Sequence, residues 1–126
     1  MVLALAGTAQ SAYATTETEL GNIGYAEGYS HIIPMSHPND KNYVDNYNMG
    51  VKDYNALSKD PALTYLASYK NDNYKRFLAD QQQGDAAYNA QQGHNDFNPK
   101  CPSGHTEEFC TGYNFGFGLD ENFDAS

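Results

Sequence analysis

Three side chains that could bind a transition metal lie within one short segment of the sequence. His31, Met35 and His37 follow one another at spacings of four and two positions. Imidazole nitrogen and thioether sulfur together suit copper, so this segment is a candidate copper site. The segment overlaps a predicted loop around two prolines, where histidines can instead lie at the surface or cap helices. The histidines are therefore either metal ligands or surface and capping residues.

No other group of side chains carries a recognisable catalytic or cofactor-binding pattern. The sequence contains no GxSxG, HExxH or P-loop motif. Acidic residues are plentiful, but no pair stands in an apolar setting that would shift a pKa. Calcium is a further option, since Asn39-Asp40 and Asn95-Asp96 supply oxygen atoms, although neither segment follows the EF-hand spacing. We therefore expect a protein that is not an enzyme and needs no cofactor beyond such a metal ion.

The two cysteines flank a turn and the start of a helix. Cys101 and Cys110 are nine positions apart, with a Pro-Ser-Gly run at 102–104 that favours a turn. Thr106 is a suitable N-cap, and two glutamates follow it in the first turn. A disulfide would tie the approach loop to this helix and contribute roughly 2–3 kcal/mol. Two free thiols remain an alternative, as does half of a metal site, although a zinc site needs about four ligands.

The segment from Cys101 to Gly118, CPSGHTEEFCTGYNFGFG, resembles a motif of small secreted proteins of ammonia-oxidising archaea. That motif reads roughly C-P-x-G-H-T-x-x-F/Y-C-x-G-Y/F-x-x-G-F/Y, and the chain matches it throughout. The Tyr/Gly segments at 24–29 and 43–54 resemble the same proteins more loosely. The resemblance implies secretion and a disulfide between the two cysteines, and it adds no catalytic residue.

The chain is predicted to be all-α, with helices that carry aromatic stripes. We expect a weak, Gly-rich helix over 15–30 and a strong helix over 41–58. A third helix is expected from residue 60 to about 83, and after a break at Gly84 a further stretch runs from Asp85 to Gln92. A last helix follows Thr106. Aromatic residues recur every three or four positions on two of these helices, which predicts buried faces.

Glycines beside these stripes would let a second backbone come close, at a cost of about 1 kcal/mol each in helix stability. The partner surface is either the rest of the same domain or another subunit. The residues predicted to take part in this packing or assembly are Tyr43, Tyr47, Gly50, Tyr54, Phe109, Gly112, Tyr113, Gly116 and Phe117.

A short pattern occurs twice: an aromatic residue, three residues, Tyr-Asn, one apolar residue and Gly. It spans 43–50 and again 109–116. The chain is therefore expected to contain two helix–loop–helix units, 24–58 and 87–118, within one helical domain over 15–118. Coincidence is the alternative in a sequence so rich in Tyr, Asn and Gly.

Composition and charge disfavour some classes of partner. A net charge of −9 disfavours nucleic acid and anionic membranes as partners. Residues 1–14 resemble the back half of a secretory signal peptide and are too short to span a membrane, and residues 119–126 form an acidic tail. We expect a secreted, non-catalytic protein that assembles with itself into an oligomer, filament or cell-surface layer. The alternatives are a small extracellular metal-binding protein and an accessory subunit on the outer face of a membrane complex.

Overall fold

The computed structural model describes residues 16–118, and the regular structure within this range is entirely helical. The helices are α1 (Glu17–Tyr29), α2 (Lys41–Lys59), α3 (Leu63–Lys70), α4 (Asp72–Gln91) and α5 (Glu107–Phe117). The predicted all-α class is confirmed. The predicted disulfide is confirmed as well, because Cys101 and Cys110 are bonded to each other. The signal-peptide-like segment 1–14 and the acidic tail 119–126 lie outside the described residues.

Within residues 16–118, no helix combines the length and the apolar character that crossing a membrane requires.

Side-chain caps determine where the main helices begin. Thr16 and Glu19 form a reciprocal capping box at the start of α1. The Asp40 carboxylate accepts from the amide of Tyr43 at 2.8 Å, and the Thr106 hydroxyl oxygen accepts a bond of 3.1 Å at the start of α5. Each cap satisfies an amide that has no acceptor within its own helix. The predicted starts of α2 and α5 are thereby confirmed.

The break before α4 lies at Asn71, so the break predicted at Gly84 is wrong. The Asn71 side chain caps α4 by accepting from the amide of Tyr74 at 3.1 Å, and it donates to Asp53 at 2.8 Å. Gly84 lies buried inside α4, directly against the main-chain carbonyl of Tyr113 on α5. A glycine weakens a helix by only about 1 kcal/mol, and this close packing against α5 offsets the cost.

The helices pack as two parallel pairs, α1 with α2 and α4 with α5. In the first pair, Gly24 lies against Tyr43 and Gly28 lies against Tyr47, so both helices ascend in the same direction. The loop at 30–40 must therefore run back along the pair before α2 can begin. The loop passes over the tyrosines of α2, where the Tyr47 hydroxyl donates to the carbonyl of Ile32 at 2.6 Å.

Both pairs use the same register of glycine-to-carbonyl contacts. Gly28 meets the carbonyl of Tyr47 as Gly84 meets that of Tyr113, and Gly50 meets Tyr25 as Gly116 meets Gln81. Corresponding positions differ by 56 between α1 and α4 and by 66 between α2 and α5. The repeated pattern at 43–50 and 109–116 therefore occupies equivalent places. In this register residue 24, where the first predicted unit starts, corresponds to residue 80. The start predicted for the second unit, residue 87, lies downstream of that position.

An aromatic cluster joins the two pairs. The ring of Tyr29 on α1 lies 4.6 Å from that of Phe77 on α4 and 5.7 Å from that of Phe115 on α5, measured between centroids. It also contacts Tyr54 on α2 at 5.5 Å. Offset and edge-to-face contacts of this kind add to the free energy that burial alone supplies. Tyrosine and phenylalanine thus supply most of this core, with Ala26 and Leu57 beside them.

Candidate functional site

The residues predicted to pack through aromatic and glycine faces do so inside the chain. Tyr43 is fully buried and Tyr113 is only 4% exposed. Tyr47, Gly50, Gly112 and Phe117 are also buried, while Tyr54, Phe109 and Gly116 are half-buried at the edges of the same contacts. These faces therefore offer little surface to another copy of the chain.

The candidate metal ligands point to different parts of the fold. The ring of His31 packs edge-on against Tyr54 at 4.3 Å, whereas that of His37 packs against Tyr43 at 5.3 Å. These two tyrosines stand eleven positions apart on α2, which is about 16 Å along its axis. Met35 packs into the apolar cluster around Ile23. The structure does not bring the three side chains together.

Among residues 16–118, no group of three or more His, Cys, Asp or Glu side chains is placed to hold a metal ion.

A buried carboxylate organises the loop that covers α2. Glu27 on α1 is 4% exposed and accepts hydrogen bonds from the Tyr43 hydroxyl and, at 2.8 Å, from the Ser36 hydroxyl. The Ser36 amide in turn donates to the Tyr43 oxygen at 3.0 Å. This network holds the loop against both helices of the first pair. A buried carboxylate is tolerated because donors surround it.

A second carboxyl group extends this network to α5. The Glu107 side chain is 49% exposed; the burial of the rest, together with a hydrogen bond to Glu27 and that residue's charge, raises the pKa of Glu107 to about 7. The nearest basic group is His37, whose Nε2 lies 4.0 Å from a Glu107 oxygen. A neighbouring negative charge disfavours ionisation of a carboxyl group. Glu107 on α5 therefore makes a pH-sensitive contact with the first helix pair.

An open groove of about 730 Å³ lies between α4 and the start of α5. One wall is a stripe of small and amide side chains at four-residue spacing on α4. The other wall is a ladder of rings in which His105 stacks on Phe109, with centroids 4.0 Å apart and planes 16° from parallel. The lining residues are Ala79, Asp80, Gln83, Ala86, Ala87, Gln91, Pro102, His105, Phe109 and Tyr113.

Asp80 is the acidic residue of this groove. Within the described part of the chain its carboxylate has neither a hydrogen bond nor an ion pair within 4.0 Å. Burial and, to a smaller degree, the charge of Glu108 raise the pKa of Asp80 to about 6, and Arg76 lowers it. Arg76 itself is engaged, since it donates to Glu108 at 3.1 Å and to Asn22 at 2.6 Å.

The corresponding space in the first pair is filled by the chain itself. In the shared register Ile23 corresponds to Ala79, and Glu27 corresponds to Gln83. The larger Ile23 packs there with Tyr43, Tyr47 and the side chain of Met35. The smaller Ala79 on α4 leaves open in the second pair a space that Ile23 fills in the first.

The short helix α3 presents an apolar face to solvent. None of its residues is buried, and only Ala67 packs against the aromatic cluster. Four large side chains form what we call the α3 face: Leu63, Tyr65, Leu66 and Tyr69, which are 39%, 75%, 49% and 73% exposed. Surface patches of several neighbouring apolar side chains commonly mark interaction sites.

Comparison of the chain with family models, curated proteins and solved structures gives no match in any of the three.

Sequence reasoning missed the residues that line the groove and form the carboxyl pair. Asp80 stands three positions after the buried Phe77, on the side of α4 that faces α5, and Glu27 stands four positions after the buried Ile23. An acidic residue at helical spacing from core residues is a usable signal for a half-buried carboxylate. The spacing alone does not single out Asp80 and Glu27, because 16 acidic residues are distributed along the chain.

Proposed function

We propose that the protein is a secreted, non-catalytic structural protein whose copies associate through the α3 face. The observation that carries the proposal is the exposure of Tyr65 and Tyr69, at 75% and 73%, beside two partly exposed leucines on one short helix. The tyrosine and glycine faces of α2 and α5 are occupied within the chain, so association through them would require unfolding. The proposed self-association therefore uses the α3 face in place of the faces of α2 and α5.

The length of α3 supports a need for a partner. An isolated helix of eight residues is not stable in water, because nucleation costs more than so few hydrogen bonds return. Among the described residues, Ala67 is the one α3 side chain packed against the aromatic cluster. Packing against a second α3 would supply the apolar contacts that this helix otherwise lacks.

The charge distribution favours a second copy of the chain as that partner. The chain carries a net charge of −9, which opposes close approach of two copies over most of their surface. Residues 61–71 contain no acidic residue and a single lysine, Lys70. Two α3 faces can therefore meet without bringing carboxylates together.

The size of the face predicts a weak and closed assembly. Two tyrosines that are three-quarters exposed offer roughly 300 Å² if each side chain contributes about 200 Å². This is well below a standard interface, so we expect a reversible dimer with twofold symmetry. A filament or layer would need a second surface. The other large exposed hydrophobic residues of the described chain, Ile33, Met49 and Phe97, lie on separate elements.

The disulfide supports the extracellular part of the proposal. Disulfides such as Cys101–Cys110 persist in oxidising compartments and are rare where thiols are kept reduced. The alternative of a metal-binding protein has less support, because His31 and His37 pack against different ends of α2.

Sedimentation velocity over a range of protein concentrations up to about 1 mM tests the proposal. We expect reversible dimerisation of the wild type and a monomer for the Tyr65→Ser/Tyr69→Ser double variant, with an unchanged circular dichroism spectrum. Met49→Ser removes an exposed apolar side chain from α2 and should dimerise like the wild type. A wild type that stays monomeric at the highest concentration, or a double variant that still dimerises, would overturn the proposal.

A further inference from the structure

We propose that the groove between α4 and α5 binds an unbranched alkyl chain that ends in an ammonium or guanidinium group, with the cation placed at Asp80. This inference concerns residues outside the α3 face and does not depend on self-association. It rests on the chemistry of the two walls and on the contrast with the first helix pair.

The cationic end of the ligand follows from the state of Asp80. Its carboxylate is partly buried and has no hydrogen-bond or ion-pair partner among the described residues. Arg76 is the nearby cation, and its guanidinium already donates to Glu108, Asn22 and Asn73. A partly buried carboxylate without a protein partner is stabilised when an opposite charge comes within a few ångströms. A ligand cation can supply that charge.

The aromatic wall suits the rest of such a ligand. His105, Phe109 and Tyr113 form a continuous ladder, with a Phe109-to-Tyr113 centroid distance of 5.9 Å. Methylene groups can pack along these rings, and a cation near the ring faces gains a further attraction from the π electrons. The disulfide between Cys101 and Cys110 ties the loop that carries His105 to α5, so it holds the parts of the aromatic wall together.

The first helix pair indicates what shape of group fills this space. There the unbranched side chain of Met35 packs against the cluster that contains Tyr43 and Tyr47. Those tyrosines correspond to Phe109 and Tyr113 in the shared register. A single flexible alkyl chain is therefore the kind of group that this arrangement of helices accommodates.

The charge of the surroundings excludes anionic ligands of the same length. Glu108 lies close enough to raise the pKa of Asp80, and the chain carries a net charge of −9. A carboxylate or phosphate in the groove would meet the charge of Asp80, and the lining contains no lysine or arginine to offset it.

Titration with n-butylguanidinium, followed by NMR shifts of the wall residues, tests the proposal directly. N-butylurea has the same shape without the charge, so we expect it to bind at least about tenfold more weakly. We expect Asp80→Asn to weaken binding of the cation to the same degree. Asp85→Asn is the matched control, because Asp85 is an exposed carboxylate on the same helix and does not line the groove. It should bind like the wild type.

A second variant separates loss of the site from loss of the fold. Ala87→Leu should fill the groove from the α4 wall and abolish binding, while the remaining spectrum keeps its dispersion. Equal binding of butylurea, equal weakening by Asp85→Asn, or undiminished binding to Ala87→Leu would each overturn the proposal.

The pH dependence of binding gives an independent readout. Below about pH 6 Asp80 takes up a proton, so cation affinity should fall there in the wild type and stay flat in Asp80→Asn. Arg76 on the same helix, with Glu108 and His105 on the opposite side, are the other charged or titratable groups near this carboxyl. A His105→Gln variant should retain the fall. If the fall disappears with His105 and persists without Asp80, the cation is not held by Asp80.

The same chemistry could reach the groove as a free amine or as a side chain of another protein. Agmatine and the capped peptide acetyl-Gly-Arg-Gly-amide distinguish these sources when titrated in parallel. Tighter binding of the peptide assigns the groove to a basic side chain, and tighter binding of agmatine assigns it to a free polyamine-like molecule. Failure of both to bind would overturn the inference and leave the α3 proposal untouched.

Discussion

Gly28 on α1 lies against the main-chain carbonyl of Tyr47 on α2, and the two are too close for a methyl group to fit between them. Main-chain atoms cannot rotate away as a side chain can. The helices would have to separate along their whole contact. This relation makes Gly28 a sensitive probe of the packing in the first pair.

Gly28→Ala is therefore expected to destabilise the protein by about 1–3 kcal/mol, the usual cost of overpacking. Gly21→Ala is the matched control, because a methyl group there meets the movable side-chain amide of Asn42 at 2.9 Å. Both changes gain about 1 kcal/mol of helix propensity, so Gly21→Ala should be close to neutral. Urea unfolding followed by circular dichroism measures both. A Gly28→Ala variant as stable as Gly21→Ala would contradict the prediction.

Tyr43→Phe should destabilise the protein because it removes a hydroxyl that serves both as donor and as acceptor. The hydroxyl donates to the buried carboxylate of Glu27 and accepts from the amide of Ser36. Leaving such groups without a partner costs about 1–3 kcal/mol. Tyr69→Phe removes a hydroxyl from a side chain that is 73% exposed and should change the free energy of unfolding by less than about 0.5 kcal/mol. Equal effects of the two variants would argue against a structural role for the network.

Stability is expected to fall as the pH rises through about 7, because the pKa of Glu107 is raised to about 7 in the folded protein. A raised folded pKa means that the folded state holds the proton more tightly than the unfolded state. The stabilisation is therefore complete below the ordinary pKa of 4.5 and is lost above 7. Asp80 contributes in the same direction near pH 6.

Glu107→Gln stays neutral at every pH, so it should remove the fall in stability between about pH 6 and 7 and leave the contribution of Asp80, which ends near pH 6. The groups that face it are Glu27 from α1 and the side chains of Ser36 and His37 from the loop. Asp96→Asn removes one exposed carboxylate elsewhere and should keep the wild-type profile. Thermal melts between pH 5 and 8 provide the comparison. A wild-type melting temperature that rises across this range would refute the assignment.

Much of the fold was predictable because it is encoded locally. The caps Asp40 and Thr106 and the four-residue aromatic spacing determine α2 and α5 without reference to the rest of the chain. The disulfide was predictable from the turn between its cysteines. The repeated pattern located equivalent faces because Gly50 and Gly116 make the same contact on different helices.

The remaining features depend on how the helices meet, which sequence spacing does not specify. Gly84 suggested a break because glycine weakens a helix. Its packing against the carbonyl of Tyr113 on α5 cannot be read from the local sequence. His31 and His37 are close in sequence, but the loop runs back along α2 and separates them. The groove depends on Ala79 being small where Ile23 fills the other pair, a comparison that requires the register.

Two helix pairs with one contact register, joined in a single chain, can differ where two identical subunits cannot. A symmetric dimer of one pair would have to fill both equivalent spaces or leave both open. Here Ile23 closes one space and Ala79 opens the other. Because the two pairs are parts of one chain, their sequences can change independently. The first pair can accumulate stabilising substitutions while the residues lining the groove of the second pair vary.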